Sequence, residues 1–324
     1  MSRVKIFLAA MLIAALLMGC HAESADQIIG DIVVTGLTRT DHDLVLRYIP
    51  VQVGDEWSAE TEKTMEEALF WANIFNPFAT EISTETMTGN KVRVLIQLED
   101  AGYLMLHPYI YTFFVVSDLS SFQLNQRIIN PWGNGLSFSA GVNWKADNFK
   151  NENPGPWTSF GFDFLGANGR VYAYQYKDIE AHKKYNQQRF NLTGQSHVIS
   201  MRQMVNNDLA MNYFLTYQNT DYLEDQTQYK EEYIIPALKI ELFKVLWINL
   251  GQGFSLAEGA NYSYGSFVYG RRYEVFAGDH FLFSVNGGAA TDHTPLSFQF
   301  LAGGYSWIPL RGHEYELAGN AYLV

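Results

Sequence analysis

The chain has 324 residues and an acidic balance, with 22 Lys and Arg against 34 Asp and Glu and a formal net charge of −12. An acidic chain without a basic stripe argues against nucleic acid as a partner. The single cysteine excludes intrachain disulfides and cysteine-based metal sites. Aromatic residues make up 15% of the chain and charged residues only 17%, which favours a membrane β-barrel, because aromatic girdles lie at both interfaces and lipid-facing positions exclude charge.

Residues 1–22 are typical of a secretory signal peptide. Arg3 and Lys5 precede an apolar run over residues 6–18, which is too short to span a bilayer, since a spanning helix needs about 20 residues. Cleavage is expected near Ala22. As an alternative, the sequence before Cys20 resembles a lipoprotein box, and acylation of Cys20 would anchor the mature N-terminus. No later stretch approaches the apolar length of a membrane helix, so the sequence excludes a helical membrane protein.

Residues 28–101 are predicted to form a small α/β domain. In its second helix Met65, Leu69 and Ala72 recur at helical spacing, and Val92 and Val94 begin the buried alternation of its last strand. The predicted elements are a strand over 28–34, a helix over 41–48 capped by Thr40, a longer helix capped by Ser58 and ending near 73, and strands over 80–86 and 91–99.

Residues 102–324 are predicted to form an antiparallel transmembrane β-barrel. Apolar and small or polar residues alternate there, as in Phe160, Phe162 and Phe164 or Tyr172, Tyr174 and Tyr176, which fits strands of about 9–11 residues in a lipid-facing wall. A soluble β-sandwich would show the same alternation. About twelve strands are expected, centred near residues 110, 139, 161, 173, 190, 213, 239, 250, 271, 284, 299 and 318.

Two glycine-containing motifs and the α/β order resemble one family. The first motif is Gly303-Gly304 followed by Leu310-Arg311-Gly312-His313, and the second is the turn Asn130-Pro131-Trp132-Gly133-Asn134-Gly135. With the β-α-α-β-β order of residues 28–101, which is similar to a POTRA domain, they resemble the bacterial surface antigen or BamA-type superfamily. That family places POTRA segments before a 16-stranded barrel.

The resemblance implies a role for Arg311. Its loop would fold back into the lumen, where the guanidinium would pair with a carboxylate on the inner wall, since an arginine cannot deprotonate and needs bidentate partners. Gly312 would allow a tight turn, and Gly303 and Gly304 would let the loop leave its strand. In the family, four more strands follow this hairpin and carry the carboxylate. Here about twelve strands fit the chain rather than sixteen, so a shortened or split reading frame is expected and closure of the barrel is in doubt.

The sequence predicts no enzyme and no cofactor, because it contains no His-Glu-x-x-His, Gly-x-Ser-x-Gly or phosphate-loop motif. The resemblance implies a factor that inserts or translocates proteins across the bacterial outer membrane, with the POTRA-like domain in the periplasm. The expected partners are unfolded or secreted client proteins, periplasmic or lipoprotein partners and outer-membrane lipids. A passive pore or structural barrel is the alternative, and a soluble β-rich periplasmic protein is the third interpretation.

Overall fold

The computed structural model describes most of the chain after residue 26, so the predicted signal peptide lies outside the described residues. The described residues are 27–102, 104–111, 121–145, 157–185, 188–206, 208–224, 227–257, 259–276, 279–291, 294, 300–302, 317–319 and 321–323.

The N-terminal part is an α/β unit with a four-stranded sheet. Its elements are β1 (Gln27–Thr35), α1 (His42–Tyr48), β2 (Glu56–Trp57), α2 (Ala59–Ala72), β3 (Glu81–Met87) and β4 (Lys91–Gln97). The sheet order is β2-β1-β4-β3, in which β1 is parallel to β4 and the other pairs are antiparallel. Each predicted element is present. Strand β2 was not predicted, because two residues are too short to show a period.

The two helix starts differ in how well the sequence predicts them. Ser58 is the N-cap of α2, and its side chain accepts a hydrogen bond from the backbone N–H of Thr61 at 3.2 Å, as predicted. The prediction that Thr40 caps α1 is wrong. Asp41 is the N-cap, accepting from the N–H of Asp43 at 3.0 Å, while the hydroxyl of Thr40 is bound to the carboxylate of Asp100.

The core of the α/β unit extends into the large sheet. Met65 and Leu69 of α2 and Val94 of β4 are completely buried, and burial of such a side chain contributes about 1.5–3 kcal/mol. Ile129 and Leu165 belong to the same cluster, although they come from the second part of the chain. The two parts therefore share one hydrophobic core rather than touching only at their surfaces.

The second part forms one large antiparallel sheet. Its strands are β5 (Leu104–Tyr111), β6 (Ser121–Ile128), β7 (Leu136–Lys145), β8 (Trp157–Leu165), β9 (Arg170–Tyr185), β10 (Gln188–Asn206), β11 (Leu209–Glu224), β12 (Thr227–Leu242), β13 (Leu246–Ser255), β14 (Tyr262–Phe276), β15 (Asp279–Ala290) and β18 (Ala321–Leu323). Their order in the sheet is β18-β15-β14-β13-β12-β11-β10-β9-β8-β7-β6-β5. The short strands β16 (Phe300–Ala302) and β17 (Leu317–Gly319) pair with each other in a separate hairpin.

The strand predictions differ from the structure in three places. No strand was predicted at β6, where Gln123, Asn125 and Gln126 weaken the apolar alternation. Strands β9 to β12 have 16 to 19 residues, longer than the 9–11 expected from membrane thickness alone. The strands expected near 299 and 318 form the separate hairpin rather than extending the large sheet.

The large sheet has two faces of different chemistry, because side chains alternate along each strand and paired residues share a face. The apolar face carries exposed large side chains, among them Phe160, Phe164, Ile199, Leu215, Ile234, Leu250 and Phe254. The polar face carries small and polar residues, among them Ser137, Gly161, Ser200, Asn212, Asn249 and Ser266. Such a division is typical of β-barrel walls that face lipid on one side and a polar interior on the other.

The sheet order ends at β5 on one side and at β18 on the other, and within the described part of the chain these two strands are not paired with each other. The contact of β18 with β15 covers three residue pairs. No described helix combines the length and hydrophobicity needed to cross a membrane.

Candidate functional site

The predicted lumen loop cannot be located, since all of its motif residues lie outside the described residues. They are Gly303, Gly304, Leu310, Arg311, Gly312 and His313. The flanking strands β16 and β17 form an antiparallel hairpin, in which Phe300 pairs with Gly319. Arg311 thus belongs to the segment of sequence between these two paired strands.

The second motif, at residues 130–135, lies within the described residues and is partly buried. It forms the turn between β6 and β7, and Asn130 at its start has no exposed surface. The backbone N–H of Asn130 donates to the hydroxyl of Ser137 at 3.1 Å, and its side-chain oxygen accepts from the N–H of Gly135 at 2.7 Å. The side-chain amide donates to Thr40 Oγ1 at 2.7 Å, so this turn is joined directly to the α/β unit.

Asp100 completes this polar connection from the α/β side. Its carboxylate accepts from the backbone N–H groups of Thr38 at 2.9 Å and Arg39 at 2.7 Å, and from the hydroxyl of Thr40. Burial acts to raise the pKa of Asp100, but the hydrogen bonds from Thr40, Arg39 and Thr38 outweigh it and hold the pKa below its usual value. We call the chain Asp100–Thr40–Asn130 the junction network.

Close backbone contacts surround the junction network. Gly133 has φ of +75°, and a Cβ there would clash with the carbonyl oxygen of Arg39, so only glycine fits. The N–H of Asp41 donates to the carbonyl of Gly133 at 3.0 Å, and the N–H of Asn168 donates to the carbonyl of Arg47 at 3.0 Å. Two turns at one end of the large sheet are thus bound to the α/β unit through backbone groups.

A more open seam lies where α2 meets strands β10 to β12. The guanidinium carbon of Arg202, on the polar face, lies 3.4 Å from the ring centroid of Trp71, and its Nη2 lies 3.7 Å from Glu241. Lys244 forms an ion pair with Glu67. A cavity of ≈ 310 Å³ is present between these groups. The seam is therefore partly open, and its cavity is lined mostly by apolar side chains such as Phe70 and Met204 with these charged groups among them.

The positive charge of Arg202 affects the pKa of Tyr48, a residue of the α/β unit. The phenol of Tyr48 donates to the carbonyl of Ala68 at 2.8 Å. Burial raises the pKa of Tyr48, and the positive charge of Arg202 lowers it.

A second ion pair lies on the polar face of β6 and β8. Arg127 of β6 is bound to Asp163 of β8 at 2.8 Å, and both side chains are mostly buried.

The edge of the four-stranded sheet is the remaining candidate surface. Strand β3 pairs only with β4 among the described strands, and Ser83, Thr84 and Glu85 are exposed. An exposed edge offers unpaired backbone groups to which an extended chain can bind. Phe78, in the loop before β3, is 98% exposed.

Sequence reasoning identified the turn at residues 130–135 but not what it binds. Thr40, Trp71, Asp100 and Arg202 were not singled out as site residues. Arg202 lies between the strands predicted near residues 190 and 213, and only the 19-residue length of β10 brings it onto the sheet. No sequence signal pairs Asp100 with Thr40, because that contact depends on the tertiary fold. The described residues include no group of three His, Cys, Asp or Glu that could hold a metal ion.

Neither a protein-family model nor a curated protein sequence matches the chain. Solved structures do match the chain. The chain is similar to BamA from Haemophilus ducreyi lacking POTRA domains 1–3, with a TM-score of 0.53 and 10% identity, covering 86% of this chain and 59% of that one. It is also similar to CdiB from Acinetobacter baumannii, with a TM-score of 0.60, 10% identity and coverage of 91% and 59%.

A third similar structure is CdiB from Escherichia coli, with a TM-score of 0.54, 12% identity and coverage of 94% and 76%. The chain spans 59% of the length of the first two structures. At these identities the likeness concerns the fold. The chain is mainly β and has the fold of the BamA and CdiB β-barrels.

Proposed function

We propose that this chain is an outer-membrane β-barrel protein that inserts or translocates client proteins, with residues 102–324 as the barrel and residues 28–101 as a POTRA-like periplasmic domain. The observation that carries the proposal is the docking of the α/β unit on one end of the large sheet, through the junction network and a shared core. A passive pore would have no need for a module fixed at its mouth.

The apolar face supports the membrane placement. Its exposed Phe, Ile and Leu side chains are costly to leave in water. The polar face, with Arg127–Asp163 and Arg202–Glu241 ion pairs, suits a wet interior. The α/β unit contacts the short turns of 129–135 and 166–169. Since short turns lie on the periplasmic side of such barrels, the proposal puts the α/β unit at the periplasmic end.

The edge of β3 would receive the client. A client segment in an extended conformation would add as a further strand beside Ser83 and Thr84, bound by backbone hydrogen bonds that do not depend on its sequence. The seam with its cavity lies between the α/β unit and the polar face. The proposed path leads from that edge to the barrel without any catalytic step.

Site-specific photo-crosslinking tests this proposal in living cells. A photoreactive residue at Thr84 is expected to capture newly exported outer-membrane or secreted proteins, whereas the same residue at Glu60, exposed on the first turn of α2, is expected to capture few. Equal capture at both positions would overturn the role of β3. Conductance without any captured client would favour the passive pore.

A further inference from the structure

The cavity at the seam between α2 and strands β10 to β12 combines an apolar lining with a few charged groups. Its volume of ≈ 310 Å³ is at the small end of the range for ligand pockets, which is about 300–1,000 Å³. A cavity of this size suits one side chain and its peptide group rather than a folded partner. We call it the seam cavity, and its apolar lining comes from Phe70, Trp71, Met204, Leu209 and Ala210.

The seam cavity exposes an aromatic pair at the end of α2. Phe70 is 61% exposed and Trp71 is 38% exposed, and their rings meet edge to face with centroids 5.5 Å apart. On the side of the large sheet, Met204 and Ala210 are buried and pair with each other across β10 and β11. Water in contact with apolar side chains is displaced favourably by an apolar group. The lining therefore favours an apolar occupant that covers the aromatic pair.

Arg202 supplies hydrogen-bond donors that no described residue fills. A guanidinium has five N–H donors and no acceptor. The Nη2 of Arg202 lies 3.7 Å from Glu241, which is beyond hydrogen-bonding distance, and its buried Nε has no hydrogen-bond partner among the described residues. Because the ring of Trp71 covers one face of the guanidinium, a new partner must approach in the guanidinium plane. An occupant with an oxygen acceptor would fill these donors in a mostly buried place.

The charges around the seam cavity disfavour an anionic acceptor. Its lining has two cations, Arg202 and Lys244, against three carboxylates, which belong to Glu67, Asp208 and Glu241. Lys244 is already bound to Glu67. A carboxylate or phosphate on the occupant would therefore meet a net negative charge, whereas a neutral carbonyl oxygen accepts from a guanidinium without that cost.

We propose that the seam cavity binds one large apolar side chain of an extended client segment, while Arg202 donates to the backbone carbonyl oxygen of the same residue. The acidic surplus rejects segments that carry Asp or Glu at this position. Lys244 is more than half exposed, so the seam cavity is open from outside the sheet. The inference rests on the proposed function and adds the chemistry by which a client is held between the β3 edge and the barrel.

Photo-crosslinking with a synthetic peptide tests the seam cavity directly. The probe is an acetylated and amidated peptide of serine and threonine with one central photo-leucine, added to the full-length protein in nanodiscs. Adducts are expected on lining residues, among them Phe70, Trp71 and Met204. A competing peptide with central leucine should suppress them at about tenfold lower concentration than one with central aspartate, because burial of a leucine side chain is worth about that factor. Adducts spread over the apolar face, no adducts, or equal competition by both peptides would overturn the proposal.

Two variants separate the side-chain pocket from the carbonyl contact. Ala210→Leu fills the seam cavity and should lower labelling about tenfold, whereas Ala237→Leu, on the polar face outside the cavity lining, should match the wild type. Arg202→Lys keeps the charge but removes the planar donors and is expected to lower labelling about fivefold. Its control is Arg127→Lys, the same change in the ion pair with Asp163. Equal effects of a variant and its control would overturn the site.

Client capture at Thr84 distinguishes this inference from the function on which it rests. Capture at Thr84 without peptide adducts in the seam cavity would overturn the binding site and leave the proposed function intact. Absence of client capture at Thr84 would overturn the proposed function and this inference with it.

Discussion

The side-chain amide of Asn130 donates a 2.7 Å hydrogen bond to the hydroxyl oxygen of Thr40, which lies ninety residues earlier in the chain. Thr40 in turn donates to the carboxylate of Asp100. These bonds join the α/β unit to the turn between β6 and β7 at a buried position, where a polar group that loses its partner is costly.

Replacement of Asn130 by alanine is therefore expected to destabilise the folded protein by about 2–3 kcal/mol. The change leaves Thr40 Oγ1 without its donor from Asn130 and the N–H of Gly135 without its acceptor, and both sites are buried. Urea unfolding in detergent micelles measures the effect. Asn134→Ala, at an exposed position of the same turn, is the control, and an equal effect of both changes would refute the network's contribution.

The carboxylate of Asp100 gives the junction network a dependence on pH. Its folded-state pKa is lowered, so near pH 4 (about the value of an unperturbed aspartate) the unfolded state binds more protons at this site than the folded state. The stabilising contribution is then complete above about pH 4 and is lost as the pH falls through the lowered folded-state pKa.

The stability difference between the wild type and Asp100→Asn is thus expected to be largest near neutral pH and to shrink below about pH 4. Equilibrium unfolding of both proteins at a series of pH values measures it. A difference that grows on acidification would mean that the folded-state pKa is raised rather than lowered.

The contact between Trp71 and Arg202 couples α2 to the polar face. A double-mutant cycle with Trp71→Ala and Arg202→Lys is expected to give a coupling energy of about 0.5–2 kcal/mol, because lysine keeps the charge but lacks the planar group that stacks on the indole. Pairing Arg202→Lys with Phe78→Ala, at a nearly fully exposed position, should give coupling near zero. Similar coupling in the two cycles would contradict the stacking interpretation.

Cross-strand pairs of glycine and tyrosine organise the polar face near β13 and β14. Gly253 pairs with Tyr262, and a Cβ at Gly253 would run into the ring of Tyr262, which is itself buried. Gly253→Ala is expected to slow folding and lower stability by about 1–3 kcal/mol through overpacking. At Gly270 a Cβ would meet nothing within 4 Å, so Gly270→Ala should behave like the wild type when the heat-modifiable gel shift is followed.

The sequence predicts the elements of the α/β unit well, because Met65, Leu69 and the alternating residues of β4 carry clear periods. It predicts strands such as β8 and β13 for the same reason. It misses β6, because Gln123, Asn125 and Gln126 interrupt the apolar alternation of that strand. It places Thr40 at a helix cap, although the hydroxyl is used in a long-range contact with Asp100. The seam around Arg202 depends on how two parts of the chain dock, and local pattern contains no information on that docking.

Quantitative mass spectrometry of the outer membrane after depletion of this protein tests most directly whether it inserts or translocates other proteins. One or more other outer-membrane or secreted proteins are expected to decrease. The wild-type gene should restore them, whereas a variant with Gly133→Val, which displaces the α/β unit from the turn of 130–135, should not. Unchanged levels of all other exported proteins on depletion would contradict the proposed function and leave a passive pore with the same fold.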